Sequence, residues 1–152
     1  MSDSFVDTDV LIRLLTGDDL QKQAEAAALF QQVESGSLRL AAPDTVVADA
    51  VYVLSSPRLY HLPRTEIRAL LSPLVRLPGL SIQNRRAVLR ALDLYATTHL
   101  DFGDALIVAS MQEVGSRILY SYDTHFDRIP PIVRRSPSAA AGPAPEGQAL
   151  EG

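Results

Sequence analysis

The chain has no cysteine and no tryptophan, and its only lysine is Lys22. Without cysteine it has no disulfide, no thiolate nucleophile and no cysteine-ligated zinc site. No apolar run approaches the roughly 20 residues that a membrane span needs. The first residues, MSDSFVDTD, lack the basic region and apolar stretch of a signal peptide. We therefore expect a cytoplasmic protein that does not associate with membranes.

Basic residues are fewer than acidic ones, 14 against 18, so the formal net charge is −4 at pH 7. This excludes a polycationic nucleic-acid binder held by bulk charge alone. Of the 14 basic residues, 13 are arginine, so a mechanism that depends on a catalytic lysine has one candidate. A length of 152 residues, 47% of them hydrophobic, suits one folded domain with a sizeable core.

Short apolar segments alternate with helical patterns, which indicates an α/β fold with a parallel sheet covered on both faces. The segment 117–123 reads as the most clearly buried strand, and Tyr52 is expected on the buried face of its helix. Composition predicts a folded domain over 1–135 and a disordered proline-, alanine- and glycine-rich tail over 136–152. The predicted strands are 4–7, 38–43, 79–83 and 117–123, and the predicted helices are 9–16, 19–35, 44–56, 63–77, 85–98 and 100–115.

Four separate segments of the sequence each carry candidate aspartates. Asp7 ends the first predicted strand and Asp123 the last, and strand carboxyl ends form the functional edge of a parallel sheet. Asp49 lies in an otherwise apolar helix, where an unpaired carboxylate is costly. Asp101 and Asp104 are three residues apart, so they share a helix face. If these segments converge, they form an oxygen-rich pocket suited to Mg²⁺ or Mn²⁺.

Each acid also has a purely structural interpretation. Asp9 and Asp101 could cap the helices that follow them, and Asp49 could be hydrogen-bonded near the start of its helix. Asp104 and Asp123 could be ordinary surface acids. Individually these signals are weak, whereas the joint pattern favours a site.

Other catalytic motifs are missing from the sequence. It has no glycine-rich phosphate loop and no evident Ser–His–Asp arrangement. Its three histidines, His61, His99 and His125, form no metal-binding doublet. The chemistry that remains for an acidic metal pocket is metal-assisted hydrolysis of a phosphodiester.

Three segments, in this order and spacing, resemble a PIN domain, and specifically the VapC-type ribonuclease toxins of bacterial toxin–antitoxin pairs. They are FVDTDVLIRLL, PDTVVADAVYVLSS and LDFGDALIVASMQEVGSRILYSYDTHFDRI, and the resemblance covers about residues 4–134. It implies a Mg²⁺- or Mn²⁺-dependent endoribonuclease. The implied fold is a three-layer α/β/α sandwich with a central parallel sheet of four or five strands.

The resemblance also implies roles for individual residues. Asp7 matches the first metal-binding aspartate, Asp104 the third acid, and Asp123 the acid of the closing motif. Asp49 stands where the family usually has glutamate, and Ser121 matches a hydroxyl position that orients water or a carboxylate. The expected catalytic set is therefore Asp7, Asp49, Asp104, Ser121 and Asp123, and its four acids are the expected metal ligands.

Two positions depart from the family pattern. Asp9 stands where asparagine is typical, and we interpret it as the cap of the next helix that supports the site from nearby. Asp49 is one methylene shorter than glutamate, which shortens its reach to a metal. Arg13, one turn after Asp9, could neutralise part of this charge, touch RNA phosphate or pair with another acid.

As a toxin-like nuclease the protein is expected to cleave RNA, to form a homodimer and to be inhibited by an antitoxin protein. The antitoxin could place an arginine in the acidic pocket.

Two other functions stay open. One is a PIN-fold module that binds RNA or protein without cutting. The other is a phosphatase of the haloacid dehalogenase class, suggested by VDTDV. The phosphatase requires a downstream lysine, and Lys22 comes too early.

Overall fold

The three-stranded parallel sheet of the N-terminal part is built from the shortest elements of the chain. In the computed structural model, which describes residues 3–138, Ser4 and Phe5 pair with Leu40 and Ala41. The second strand in turn pairs with residues 80–82, giving the order β1-β2-β3. The elements, in chain order, are β1 Ser4–Phe5, α1 Thr8–Leu15, α2 Leu20–Ser35, β2 Leu40–Ala42, α3 Asp44–Ser55, α4 Arg64–Arg76, β3 Leu80–Ile82, α5 Arg85–Thr97, α6 Phe102–Val114, β4 Ile118–Tyr120, a 3₁₀ turn Thr124–Arg128 and β5 Val133–Arg135.

The described residues fall into two units, one ending at Ser110 and one beginning at Met111. In the first unit α1 packs against α2 and α3, and α4 packs against α5 and β3. Apolar residues at helical spacing supply the core of this unit, as the periodicity predicts. Its largest fully buried side chains are Leu11, Val47, Leu54, Ile67, Leu71, Val75, Leu80, Val88, Leu92, Leu100 and Val108.

The second unit contains a parallel pair of strands, β4 and β5, in which Leu119 is aligned with Arg134. Phe126 and Ile129 are its buried apolar side chains after the end of α6. The strand at 118–120 was predicted, but its burial was not correctly predicted, since Ile118 and Tyr120 are 44% and 48% exposed. An apolar run forms a buried strand only if other layers of the fold pack on both faces of its sheet. In this two-stranded sheet the side chains of Ile118 and Tyr120 stay partly exposed to solvent.

The α/β class and the parallel strands are confirmed. The five strands of residues 3–138 are divided between a sheet of three and a sheet of two, whereas the sequence suggested one sheet of four or five. The strand β5 was not predicted. Pro73 lies inside α4, which continues to Arg76, close to the predicted end of this helix at residue 77.

Within the described residues, no helix combines the length and apolarity needed to cross a membrane. The proposed boundary at 135/136 stays a prediction, and most of the predicted tail, residues 139–152, lies outside the described residues.

Candidate active site

Asp7 stands between the end of β1 and the start of α1. It is the N-cap residue of α1, and its Oδ1 accepts a hydrogen bond from the backbone N–H of Thr8 at 2.7 Å. Its Oδ2 has no hydrogen-bond partner among residues 3–138, and the side chain is exposed. One oxygen is therefore held by the backbone while the other points to solvent.

Asp9 is not the cap that the sequence suggested. The helix starts at Thr8, one residue earlier than predicted, so Asp9 falls in its first turn. A carboxylate there is favourable because it faces the positive end of the helix dipole. Asp7, predicted only as a site residue, therefore also performs the structural role assigned to Asp9.

Asp49 lies in the second turn of α3 with its side chain exposed. The buried face of α3 is formed by Val47, Ala50 and Leu54 with their apolar neighbours, and Asp49 is on the opposite side. The argument that an unpaired carboxylate is costly on this apolar helix therefore does not apply to Asp49, because its side chain is exposed. No described residue forms a hydrogen bond or ion pair with it.

Tyr52 is on the same exposed side of α3, and the prediction that it is buried was wrong, since it is 75% exposed. The positions i, i+3 and i+7 from Val47 to Leu54 define the core face of the helix. Tyr52 is two residues from Ala50, so it points away from that face.

Asp101 and Asp104 lie at the start of α6. The Oδ1 of Asp101 accepts a hydrogen bond from the backbone N–H of Asp104 at 2.8 Å, which is the contact of a helix cap. The structural interpretation of Asp101 is thus confirmed. Asp104 is half-buried in the first turn of the helix.

The closing motif lies in the second unit and forms a local hydrogen-bonded turn. The Oγ of Ser121 accepts from the backbone N–H of Asp123 at 3.0 Å. Asp123 caps the 3₁₀ turn, accepting on Oδ1 from the N–H of His125 at 2.9 Å. The Nδ1 of His125 lies 2.7 Å from the same oxygen. His125 is therefore a direct partner of Asp123, and the Ser121 hydroxyl is bound to backbone.

Arg134, which no sequence pattern singled out, connects β5 to the 3₁₀ turn and to Ser121 by hydrogen bonds. Its guanidinium donates from Nε to Asp127 Oδ1 at 2.8 Å and from a terminal nitrogen to Oδ2 at 3.3 Å. It also donates to the carbonyl of Ser121 at 3.0 Å. The hydrogen bond from Arg134 lowers the pKa of Asp127 below its usual value, and Asp127 in turn raises the pKa of Arg134. Only the strand pairing of β5 brings these residues together.

A second unpredicted contact joins the carboxyl ends of two neighbouring strands. The side-chain amide of Asn84, after β3, donates to Asp44 Oδ2, after β2, at 3.1 Å. Neither side chain makes a capping hydrogen bond to the helix that follows it, and Pro43 is the N-cap residue of α3. The signal for this contact was their position directly after two adjacent parallel strands.

Arg13 pairs with an acid and not with the candidate site. It donates to Asp18 Oδ1 at 3.2 Å, and Tyr60 donates from its hydroxyl to Asp18 Oδ2 at 2.7 Å. The Tyr60 hydrogen bond is the largest cause of the lowered pKa of Asp18. A cleft of about 440 Å³ next to this network is lined by Asp9, Arg13 and Lys22, among others.

The donor types fit a hard divalent cation, because aspartate oxygens are the ligands that Mg²⁺ and Mn²⁺ prefer. Asp7, Asp49 and Asp104 belong to the first unit, where α1 packs against α3. Asp123 belongs to the second. Within residues 3–138, no three histidine, aspartate or glutamate side chains are placed as one metal-binding group. The role of each as a ligand stays a prediction.

Comparison with protein families gives one match, to the family model described as PIN domain, over residues 4–131. A comparison with curated proteins found no match. The match confirms the resemblance to a PIN domain, a nuclease-type fold that is often metal-dependent. The VapC-type subtype stays a prediction.

Proposed function

The chain belongs to the PIN domain family, and from this premise we propose that it is a Mg²⁺- or Mn²⁺-dependent endoribonuclease that hydrolyses RNA phosphodiesters. The observation that carries the proposal is the placement of Asp7. It lies two residues after the end of a parallel strand, one of its oxygens accepts a hydrogen bond from Thr8, and the exposed side chain leaves the other open to solvent. The carboxyl edge of a parallel sheet is where α/β proteins bind ligands.

The residues that would hold the cation are Asp7, Asp49, Asp104 and Asp123. A bound Mg²⁺ or Mn²⁺ would supply Lewis-acid activation of water and charge stabilisation at the leaving oxygen. Thr8 orients the Asp7 carboxylate, and Ser121 orients the segment that carries Asp123.

The first experiment is cleavage of total cellular RNA by the purified protein with Mg²⁺, Mn²⁺ or EDTA, beside an Asp7→Asn variant. Asparagine still caps a helix but removes the charge that would hold the metal. The matched control is Asp19→Asn, since Asp19 caps α2 through the N–H of Lys22 at 3.0 Å and is not a candidate ligand.

We expect metal-dependent cleavage by the wild type and by Asp19→Asn, and none by Asp7→Asn. Cleavage in EDTA, or equal cleavage by Asp7→Asn, would contradict the proposal. If a folded wild-type protein binds RNA but never cleaves it, the binding-module function replaces the nuclease.

Asp49→Glu tests the departure from the family pattern. If Asp49 is a ligand with a short reach, the longer acid raises cleavage or metal affinity. An Asp49→Ala variant with full metal-dependent activity would remove Asp49 from the ligand set.

We further propose that the nuclease is the cytoplasmic toxin of a toxin–antitoxin pair, that it forms a homodimer, and that an antitoxin protein inhibits it. The support is the resemblance to VapC-type toxins in the motifs around Asp7, Asp49 and Asp104. Induced expression of the wild type is expected to arrest bacterial growth, and expression of Asp7→Asn is not. Growth arrest by both variants would mean that the effect does not come from the nuclease site.

A further inference from the structure

A mixed polar and apolar cleft of about 660 Å³ lies within the first unit, between α3, the loop before α4 and the start of α6. Its volume is in the range of small-molecule sites, which combine apolar walls with a few oriented polar groups. The residues relevant to its chemistry are Tyr52, His61, Arg64, Tyr95, Asp101 and Phe102. None of them belongs to the expected catalytic set, and Asp101 was considered only as a member of the acidic cluster or as a helix cap.

Three polar groups of the cleft have no hydrogen-bond partner among residues 3–138. They are the hydroxyl of Tyr52, the imidazole of His61 and the Oδ2 of Asp101. Tyr52 is 75% exposed, so one face of its ring is open to a planar ligand. The cleft therefore offers an aromatic surface, an imidazole ring and a carboxylate oxygen that accepts hydrogen bonds.

The opposite wall is made rigid by Arg64. Its guanidinium donates to the carbonyls of Tyr95 at 3.0 Å and Thr98 at 3.3 Å and lies 4.3 Å from the centre of the Tyr95 ring. These contacts commit Arg64 to the protein, so the cleft does not present it as a phosphate-binding cation.

His61 is held in place by its backbone. It has a φ of 47°, a conformation that a residue with a side chain adopts at a cost. Its N–H donates to Ser56 O at 3.0 Å, and the N–H of Leu62 donates to Leu54 O at 2.9 Å. Strained conformations persist where the surroundings fix them, and they concentrate at functional sites.

Two residues that line the cleft are close along the chain to candidate metal ligands. Tyr52 is three residues after Asp49 on α3. Asp101, which precedes α6 and caps it, is three residues before Asp104. Residues three apart are neighbours on a helix surface. Two separate elements therefore each place a cleft residue within one turn of a predicted ligand.

We propose that this cleft is a subsite for one unpaired nucleobase of the RNA, beside the phosphate that is cleaved. The inference rests on the proposed ribonuclease function and adds the residues that bind the base. Tyr52 stacks on the base, as aromatic side chains do in the recognition of single-stranded RNA. Asp101 Oδ2 accepts from an exocyclic amino group, so adenine, cytosine or guanine binds better than uracil.

The test measures binding of fluorescently labelled single-stranded oligonucleotides to the Asp7→Asn protein, which does not cut them. Tyr52→Ala is expected to raise the Kd by roughly 5- to 100-fold, and Tyr52→Phe, which keeps the ring, by about twofold at most. Leu20→Ala is the control, because Leu20 is 74% exposed on α2, outside the cleft. It is expected to leave the Kd unchanged.

The role of Asp101 is tested by the base preference of RNA binding, which would not change if Asp101 had only a structural role. Asp101→Asn keeps a side chain that caps α6 but replaces the free acceptor oxygen with a donor. The preference for adenine- or cytosine-rich oligonucleotides over oligouridine is expected to fall by roughly 5- to 100-fold. In the wild-type background, Tyr52→Ala is expected to raise KM more than it lowers kcat.

Unchanged RNA affinity in Tyr52→Ala, or no binding of RNA by the parent, overturns the subsite. A dimer that becomes a monomer in Tyr52→Ala, with RNA affinity unchanged, also overturns it and assigns the cleft to contact between subunits. If Tyr52→Ala loses RNA while the wild type never cleaves it, the subsite stands and the nuclease proposal fails. If Tyr52→Ala still cleaves RNA, with KM and base preference unchanged, the nuclease proposal stands and the subsite fails.

Discussion

Replacing Arg64 by alanine is the change for which the structure sets the clearest expectation for stability. Arg64 is the first residue of α4, and it donates to carbonyls at the end of α5. The last carbonyls of a helix have no partner within it, and they carry the negative end of its dipole. Arg64 therefore satisfies acceptors that α5 cannot satisfy itself.

The magnitude follows from the number and kind of these contacts. A hydrogen bond from a charged donor contributes about 1.5–3 kcal/mol, but the acceptors share one guanidinium, which is half-buried. We therefore expect Arg64→Ala to lower the free energy of unfolding by about 2–4 kcal/mol. For a chain of this length that corresponds to a fall in Tm of roughly 5–15 °C.

Arg68→Ala is the matched control on the same pair of helices. Arg68 lies one turn further along α4, and its Nε is 3.0 Å from Asp93 Oδ1 on α5. Both side chains are about half exposed, and surface ion pairs of this kind contribute about 0–1 kcal/mol. Urea denaturation of the wild type and both variants gives the comparison through midpoints and slopes. If Arg64→Ala lowers the free energy of unfolding no more than Arg68→Ala does, the hydrogen bonds from Arg64 to the end of α5 do not stabilise the fold.

Three further predictions concern packing, pH and the C-terminal segment. Gly79→Ala is expected to lower the free energy of unfolding by about 1–3 kcal/mol, because its Cβ would lie 2.8 Å from Val33 O. The control is Gly17→Ala, whose Cβ would have no atom within 4 Å, and thermal unfolding compares the two variants. The pKa of Asp127 is lowered from 3.8, so its contribution to stability is present above that value and is lost as the pH falls through the folded-state pKa. Below about pH 4 the free energy of unfolding is therefore expected to fall less steeply for Asp127→Asn than for the wild type. An identical pH dependence of the two proteins would refute the stabilising contact with Arg134. Deleting residues 136–152 is expected to leave the Tm unchanged, and a large drop would show that this segment contributes to folding.

The sequence predicted best what local periodicity controls. The six helices were expected within a few residues of their observed bounds, because an amphipathic repeat and its caps are local properties. Gly36 ends α2 in the left-handed conformation, as expected of glycine at that position. The PIN domain was also recognisable from its motifs, and the family match confirms it.

The side of α3 that faces the core was harder to predict. Tyr52 was predicted on the buried face and Asp49 was interpreted as a costly carboxylate on an apolar helix, but both side chains are exposed. A helix rich in valine has more than one apolar stripe, and only packing against its neighbours decides which stripe is buried. This correction turns Tyr52 from a core residue into the central residue of the proposed base subsite.

By itself the sequence determined the helices, the α/β class, the family and the identity of the candidate acids, since each depends on residue types at short spacing. Only the tertiary structure decided that Asp7 and not Asp9 caps α1, that Asn84 binds Asp44, and that Arg134 binds Asp127. It also decided how the five strands are shared between two sheets. These contacts join segments through strand pairing and through the exact start of a helix, and their energies depend on distances that no local pattern encodes.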